Sequence, residues 1–304
     1  MLEPAPMNAV YSFAELQNWP AATMGETPAI RLGVFGDPVA HSKSPAMHNA
    51  ALQACGIDAR YCRLHIRAGE LEAALRLLPE QDFIGANITI PHKAAALAAV
   101  DEADDYSRQS RAVNTVVVRD KTLVGFNTDG PGLVRAIRAD FGADLRDLRV
   151  MLLGAGGGAG RAIAVQCVRE NCERLVLVNR TFEKAKTLAE ELAPFSRAAR
   201  LEVLPIAQLL KTHLENTDLI INATSVGMNP DDPPLLPASL LSPHLMVYDT
   251  IYTTHRTPLL NAAEEAGARA ANGLSMLLHQ GALSFEIWFN RDAPIDAMRE
   301  ALLS

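Results

Sequence analysis

A lysine closes the run Ile90-Pro91-His92-Lys93 and an aspartate sits in Asn127-Thr128-Asp129-Gly130, both upstream of Gly154-Ala155-Gly156-Gly157-Gly158-Ala159-Gly160-Arg161. Ammonium and carboxylate are the groups that acid/base chemistry needs, and a glycine run that opens a helix suits a phosphate-bearing nucleotide. Together they suggest an acid/base site facing a bound nucleotide. A free lysine, with a pKa of about 10.4, is the acid at neutral pH, and a nearby carboxylate favours that form. Taken singly, Lys93 reads more readily as a surface charge at a helix start, and Asp129 as a helix N-cap. The case rests on their company.

The glycine run follows the apolar stretch 150–153 and leads into a helical pattern. In that setting the frame Gly154-x-Gly156-x-x-Ala159 means a tight turn, a backbone without Cβ where a pyrophosphate approaches, and helix amides directed at phosphate. At the end of the next strand, where a binder of NAD carries Asp or Glu for the ribose hydroxyls, this chain has Asn179-Arg180-Thr181. A guanidinium pairs with a 2′-phosphate in two-pronged fashion, and Thr181 and Lys184 add a hydroxyl and a second cation. The expected cofactor is therefore NADP. The plain alternative for Arg180 is a solvated surface cation.

Short apolar runs alternating with helical stretches predict an α/β fold with parallel strands and two domains. Strands are expected at 32–35, 59–65, 83–89 and 115–118, with helices from a Ser44-Pro45 start to Cys55 and over 69–78. After Asp129 a helix to about residue 140 leads to a second series, with strands at 150–153, 175–179, 219–222 and 246–249. That is a Rossmann-like nucleotide-binding series. The stretch 273–290 predicts a long helix with Leu274, Leu277, Leu278, Leu283, Ile287 and Trp288 broadly on one side, expected to return to the first domain. The expected division is 1–128, 129–272 and 273–304. Residues 1–29 read as a surface extension without an assigned role, with a short amphipathic turn over 11–19.

The 304 residues give room for two cores, and 28 basic against 35 acidic residues, without a dense cationic cluster, argue against nucleic acid as a partner. Cys55, Cys62, Cys167 and Cys172 form no Cys-x-x-Cys pair and have no histidine at zinc spacing, so no metal is expected and a reduced, cytoplasmic setting fits. Neither a signal peptide nor a membrane span is evident.

Further motifs are Gly36-Asp37-Pro38-Val39-Ala40-His41-Ser42-Lys43-Ser44-Pro45, Asn87-Ile88-Thr89-Ile90-Pro91-His92-Lys93, Ala112-Val113-Asn114-Thr115 and Asn222-Ala223-Thr224-Ser225. In this order and spacing, from about Arg31 to the C-terminus, the chain resembles the shikimate dehydrogenase family. The resemblance implies an N-terminal α/β substrate domain, an NADP-binding domain, and reversible NADPH-dependent reduction of 3-dehydroshikimate to shikimate on the way to chorismate and the aromatic amino acids. It implies Lys93 and Asp129 as catalytic residues, and Ser42 and Ser44 as ligands of the substrate carboxylate. Asn87, Thr89, Asn114, Asp129 and Gln280 would bind the ring hydroxyls, and Tyr252 would also touch substrate. Thr250, Gly273 and Asp105 would lie near the cofactor, beside Gly154, Ala155, Gly156, Gly157, Gly158, Ala159, Asn179, Arg180, Thr181 and Lys184. Ser44 doubles as a good N-cap. A monomer or homodimer is expected. The alternatives are a quinate/shikimate dehydrogenase with broader substrate or NAD use, and a non-catalytic ligand sensor on the same fold.

Overall fold

A computed structural model describes residues 10–196, 199–253 and 255–304. The first nine residues of the expected extension lie outside them. The chain folds as two compact units, one from the segment up to Thr128 together with Leu278–Ser304, the other Asp129–Leu277.

The first unit is built on seven strands, β1 (Val10–Ser12), β2 (Ile30–Gly36), β3 (Arg60–His65), β4 (Gly85–Ile88), β5 (Glu102–Ala103), β6 (Thr115–Arg119) and β7 (Thr122–Phe126), in the order β1-β3-β2-β4-β6-β7-β5. The expectation of parallel strands holds for β1 to β4 but not for β6, which runs antiparallel to both β4 and β7. Asp120 and Lys121, at φ 48° and 66°, close the β6–β7 hairpin. This pair lacks the glycine that usually marks such a turn in sequence, so the hairpin escapes a pattern reading.

Residues 10–29 also depart from expectation. Rather than a surface extension, they add β1 to the sheet edge and two short helices, Phe13–Gln17 and Trp19–Ala22. Ser12 and Glu15 form a capping box at the first of these. Tyr11, Leu16 and Trp19 are buried, and the Trp19 ring lies 5.0 Å from that of Tyr11 and 5.2 Å from that of Phe83. The expected short amphipathic turn over 11–19 is met by these two helices, and its three apolar residues complete this core.

The second unit carries β8 (Arg149–Leu153), β9 (Arg174–Asn179), β10 (Arg200–Pro205), β11 (Leu219–Asn222), β12 (Met246–Asp249) and β13 (Arg269–Asn272), all parallel, in the order β10-β9-β8-β11-β12-β13. That is the doubly wound order of dinucleotide-binding sheets. The central strands β8, β9 and β11 are almost wholly buried, which explains their unbroken apolar runs. β10 and β13 are half-exposed edge strands whose mixed composition hides them in sequence.

The long C-terminal helix, Leu274–Phe289, carries Trp288 into the first unit, where its indole N–H donates to the Val116 carbonyl at 2.9 Å. Gly85 in β4 makes room for this. A Cβ there would stand 2.2 Å from the Val116 carbonyl oxygen and 2.4 Å from the indole nitrogen. No helix among the described residues is long and apolar enough to cross a membrane. Gly85→Ala should destabilise the protein by about 2 kcal/mol or more, because the clash is partly with backbone. Denaturant unfolding followed through tryptophan fluorescence measures this, and a loss below about 0.5 kcal/mol would contradict the packing described.

Candidate active site

In the first unit the candidate residues cluster at the C-terminal ends of the parallel strands. Beyond β2 the chain turns, with Ser42 N–H on the Val39 carbonyl, and enters the helix Ser44–Ala54. Ser44 is the first helical residue rather than the N-cap. The cap position falls on Lys43, whose side chain makes no capping bond. Ser42 Oγ instead accepts from the Ser44 N–H at 3.3 Å. Thr89 follows β4, its N–H on the Phe35 carbonyl at 2.9 Å. Its methyl packs so close to Gly36 that a Cβ there would come within 2.4 Å. Lys93 opens the helix Lys93–Ala99, after His92, whose ring nitrogen meets the Ile66 carbonyl at 2.6 Å.

Asn87 and Asn114 form the centre of a buried polar network. Asn87 Oδ1 accepts from the Tyr61 hydroxyl at 2.8 Å, and its Nδ2 donates to Ser284 Oγ at 2.9 Å and to the Asn114 carbonyl at 3.2 Å. Asn114 Oδ1 accepts from the Thr128 N–H and the Thr115 hydroxyl, and its Nδ2 donates to Thr128 Oγ1 at 2.9 Å and Gln280 Oε1 at 3.3 Å. Three expected residues, Asn87, Asn114 and Gln280, are thus brought together. Thr115 and Thr128, which stood in the motif runs without an assigned role, belong to the same network, as do Tyr61 and Ser284, which lie on separate elements and carried no local signal.

Beneath the network the imidazole of His48 stacks on Tyr61 at 4.5 Å and lies 5.2 Å from Trp288. It is fully buried, and neither ring nitrogen meets a partner in hydrogen-bonding geometry. Burial lowers its pKa from 6.5 to about 3, against a weaker opposing influence of the nearby Asn87 side chain. The ring is held neutral.

In the second unit the glycine turn sorts its residues by task. Gly154 sits at φ 87°, and a Cβ there would press on Ala223 and Thr224. The Gly154 and Ala155 N–H groups both donate to the Val178 carbonyl, and the Gly156 N–H to Asn179 Oδ1 at 3.3 Å. These amides are engaged within the protein. The helix Gly158–Arg169 begins beyond them, with Gly157, Gly158 and Ala159 exposed, so the first-turn amides of Gly158 and Ala159 are the ones turned outward for an anion. The frame with Ala159 third needs correction as to packing. The close contact is made by Gly160, where a Cβ would stand 2.2 Å from the Gly154 carbonyl oxygen.

Beside this turn lies a cavity of about 480 Å³, lined by the turn and by Asn179, Arg180, Thr181 and Lys184. Ile206, Thr224, Ser225 and Leu235 complete it. Of these, Thr224 and Ser225 carried a signal in the run Asn222-Ala223-Thr224-Ser225, whereas Ile206 and Leu235 carried none. Arg180, Thr181 and Lys184 are exposed, and Arg180 has no ion pair among the described residues. The Thr224 loop is held by Asn222, whose Oδ1 accepts from the Thr224 N–H and whose Nδ2 donates to Asp249. Burial pushes the Asp249 carboxyl up, against the opposing bond from Thr257.

Thr250 and Gly273 are neighbours, since a Cβ on Gly273 would stand 2.0 Å from the Thr250 carbonyl oxygen. Tyr252, 42% exposed, has its phenol pKa raised by desolvation and then by the charge of Asp129. Asp129 opens the helix Asp129–Phe141 and is 5% exposed. Asp105 is exposed at the start of the helix Asp105–Ser110 in the first unit, where the neighbouring Asp104 makes the capping bond, and it joins none of these clusters. No group of three or more metal-ligating side chains occurs among the described residues.

A doubly wound parallel sheet with a glycine turn and an exposed arginine at the ribose position, joined in one chain to a second α/β unit with a polar network, defines the class of dinucleotide-dependent α/β oxidoreductases. Family models agree along the chain: the shikimate dehydrogenase substrate binding domain matches residues 34–116, shikimate / quinate 5-dehydrogenase 136–229, and the shikimate 5′-dehydrogenase C-terminal domain 273–303. The chain is 41% identical to the shikimate dehydrogenase (NADP(+)) of Symbiobacterium thermophilum, over 91% of its own length and 95% of the relative's. It is 40% identical to that of Methanopyrus kandleri, over 90% and 94%. The crystal structure of shikimate 5-dehydrogenase from Thermus thermophilus in complex with NADP(H) and shikimate is similar at TM-score 0.80 and 36% identity, over 90% of this chain and 98% of that one. The chain belongs to the shikimate dehydrogenase family.

The neutral His48 gives a test of the network's floor. A histidine whose folded pKa lies near 3 instead of 6.5 leaves the unfolded chain binding the extra proton between those values. Its contribution to stability is complete above pH 6.5 and falls by about 1.4 kcal/mol per pH unit below it. His48→Phe should therefore show a flatter loss of stability from about pH 6.5 toward about pH 4 than the parent chain, read by denaturant titration at each pH. Parallel curves would show that burial of His48 is not what governs its protonation.

Proposed function

We propose that this chain catalyses the reversible NADPH-dependent reduction of 3-dehydroshikimate to shikimate, a step toward chorismate and the aromatic amino acids. What carries the reading is 41% identity over nine tenths of the chain to an enzyme of that name, together with the motif residues by which the sequence resembles the family. The four free cysteines support a reduced, cytoplasmic setting.

The nucleotide fits the second unit on three observations: the cradle that a Cβ would fill at Gly154, Gly156 and Gly160, the outward amides of Gly158 and Ala159, and the exposed Arg180 without an ion pair among the described residues. Gly158 and Ala159 would hold the pyrophosphate through their outward amides, while Gly154, Ala155, Gly156 and Gly157 shape the turn. Arg180, Thr181 and Lys184 would hold the 2′-phosphate, and Asn179 orients the turn through Gly156. Thr250, Gly273 and Asp105 are assigned to the nicotinamide side. When bound, the nicotinamide supplies the hydride.

Ser42 and Ser44 present hydroxyls to the substrate carboxylate, and the Ser44 hydroxyl is not engaged in helix capping. Asn87, Thr89, Asn114 and Gln280 serve the ring hydroxyls, as does Asp129, and Tyr252 adds a phenol that desolvation and the charge of Asp129 keep protonated. Lys93 gives its proton to the alkoxide oxygen as charge develops there, and Asp129 is the second catalytic residue. The Asn87 and Asn114 amides are already oriented by the protein, so binding does not have to order them.

A spectrophotometric assay of shikimate and quinate, each with NADP and NAD, tests this directly. Shikimate with NADP should be the best combination, and higher activity with quinate and NAD would replace the reading with that of a broader quinate/shikimate enzyme. Lys93→Ala should lower kcat by about 10²- to 10⁴-fold with substrate KM little changed. Retained turnover would remove Lys93 from the chemistry. Arg180→Ala should raise the KM for NADP by roughly ten-fold or more while that for NAD stays within about two-fold, as loss of charge-assisted bonds to one phosphate requires. An equal effect on both cofactors would make Arg180 a surface cation.

A further inference from the structure

The two serines assigned to the substrate carboxylate are neutral, and an anion held by neutral hydroxyls in a partly desolvated site still needs a compensating charge. The loop that carries them has one cation bound directly to its backbone. Arg63, in the middle of β3, donates from Nε at 3.1 Å and from Nη2 at 2.7 Å to the carbonyl oxygen of Ser42. Its guanidinium is half-buried, and no ion pair of the described residues includes it. Desolvation lowers its pKa, and no carboxylate is among the groups that act on it. Asp37, the acid in the run ahead of Ser42, is engaged elsewhere, with its Oδ1 2.9 Å from the His65 ring nitrogen. Lys43, on the same loop, is exposed and donates to the Leu302 carbonyl at 3.1 Å in the last helix, Ile295–Leu303.

An arginine left without a carboxylate at the rim of a core is costly unless a ligand completes it. Its fork holds the Ser42 peptide, and the Ser42 hydroxyl in turn accepts from the Ser44 N–H. The cation, the Ser42 hydroxyl and the Ser44 backbone therefore form one connected assembly.

We infer that Arg63 is a positioning and charge-compensating residue for the substrate carboxylate, fixing Ser42 through its carbonyl and supplying the positive potential that the two serines lack. This rests on the reading of Ser42 and Ser44 as carboxylate ligands. It is specific to an acid substrate. A neutral analogue with the same ring would gain only from the positioned loop.

The test compares shikimate with its methyl ester, using NADP and the parent enzyme, Arg63→Gln and Arg63→Lys. The Gln variant should raise the KM for shikimate about ten-fold, as expected for loss of one partly screened charge. The KM for the ester should change less than about two-fold, and that for NADP not at all. The Lys variant keeps the charge without the two-pronged bond, and should fall between parent and Gln for the acid. KM is read from folded molecules alone, so partial unfolding of a variant does not blur the comparison. Equal losses for acid and ester in both variants would mean that Arg63 only braces the loop, and would overturn the inference. A parent enzyme that does not oxidise shikimate would overturn the functional reading itself, a result distinct from unequal or equal effects among variants.

Discussion

A buried carboxamide has to have its hydrogen-bonding atoms met, and the first unit is arranged around meeting those of Asn87. At 6% exposure its oxygen and nitrogen are beyond the help of water, so Tyr61, Ser284 and the Asn114 carbonyl must reach them. That requirement draws four elements to one point: β3 through Tyr61, β4 through Asn87, β6 through Thr115, and the C-terminal helix through Ser284. Once Ser284 is seated, Gln280 one helical turn earlier meets Asn114, and Trp288 one turn later reaches Val116. The glycine at position 85 and the buried, neutral His48 are consequences of that seating. A fully satisfied polar network of this kind is rigid, which is what recognition of a small polyhydroxylated ring demands.

The second unit solves its problem by leaving side chains out. Gly154, Gly156 and Gly160 let the turn lie against Thr224, Asn179 and the turn's own carbonyl, and the Val178 carbonyl takes up two amides to fix its shape. What remains outward is backbone N–H at the start of a helix, with the Arg180 cation beside it. Here geometry comes from the main chain, with one exposed cation beside it. In the first unit geometry comes from side chains.

A single architectural habit links the candidate residues. Ser44, Lys93, Asp105, Asp129 and Gly158 are each the first residue of a helix. In α/β folds that position follows a strand end and a short loop, where unpaired N–H groups and side chains face a ligand rather than a core. Helix-start residues therefore carry an inherent ambiguity in sequence. Asp104 resolves it one way, making the capping bond to Ser107, and Ser44 the other, since the cap position of its helix falls on Lys43.

Much of this was legible in the chain itself. The glycine turn between strand and helix, the apolar runs of β8, β9, β11 and β12, the Ser-x-Ser-Pro start, and the long C-terminal helix all depend on local rules: period, turn chemistry and residue type within a few positions. The β6–β7 hairpin, β10, β13 and the burial of residues 10–29 were not legible, because an antiparallel partner or an edge position leaves little trace in period or composition. Neither was the role of Gly160, which depends on a carbonyl earlier in the same turn, nor the part of Tyr61, Thr115, Thr128 and Ser284 in the network, nor the bond from Arg63 to Ser42. Residue types and their spacing determined the class of chemistry and the cofactor. Only the tertiary structure decided which polar groups satisfy one another and which stay turned outward, since a hydrogen bond between residues as distant in sequence as Asn87 and Ser284 depends on packing that no short stretch of sequence encodes.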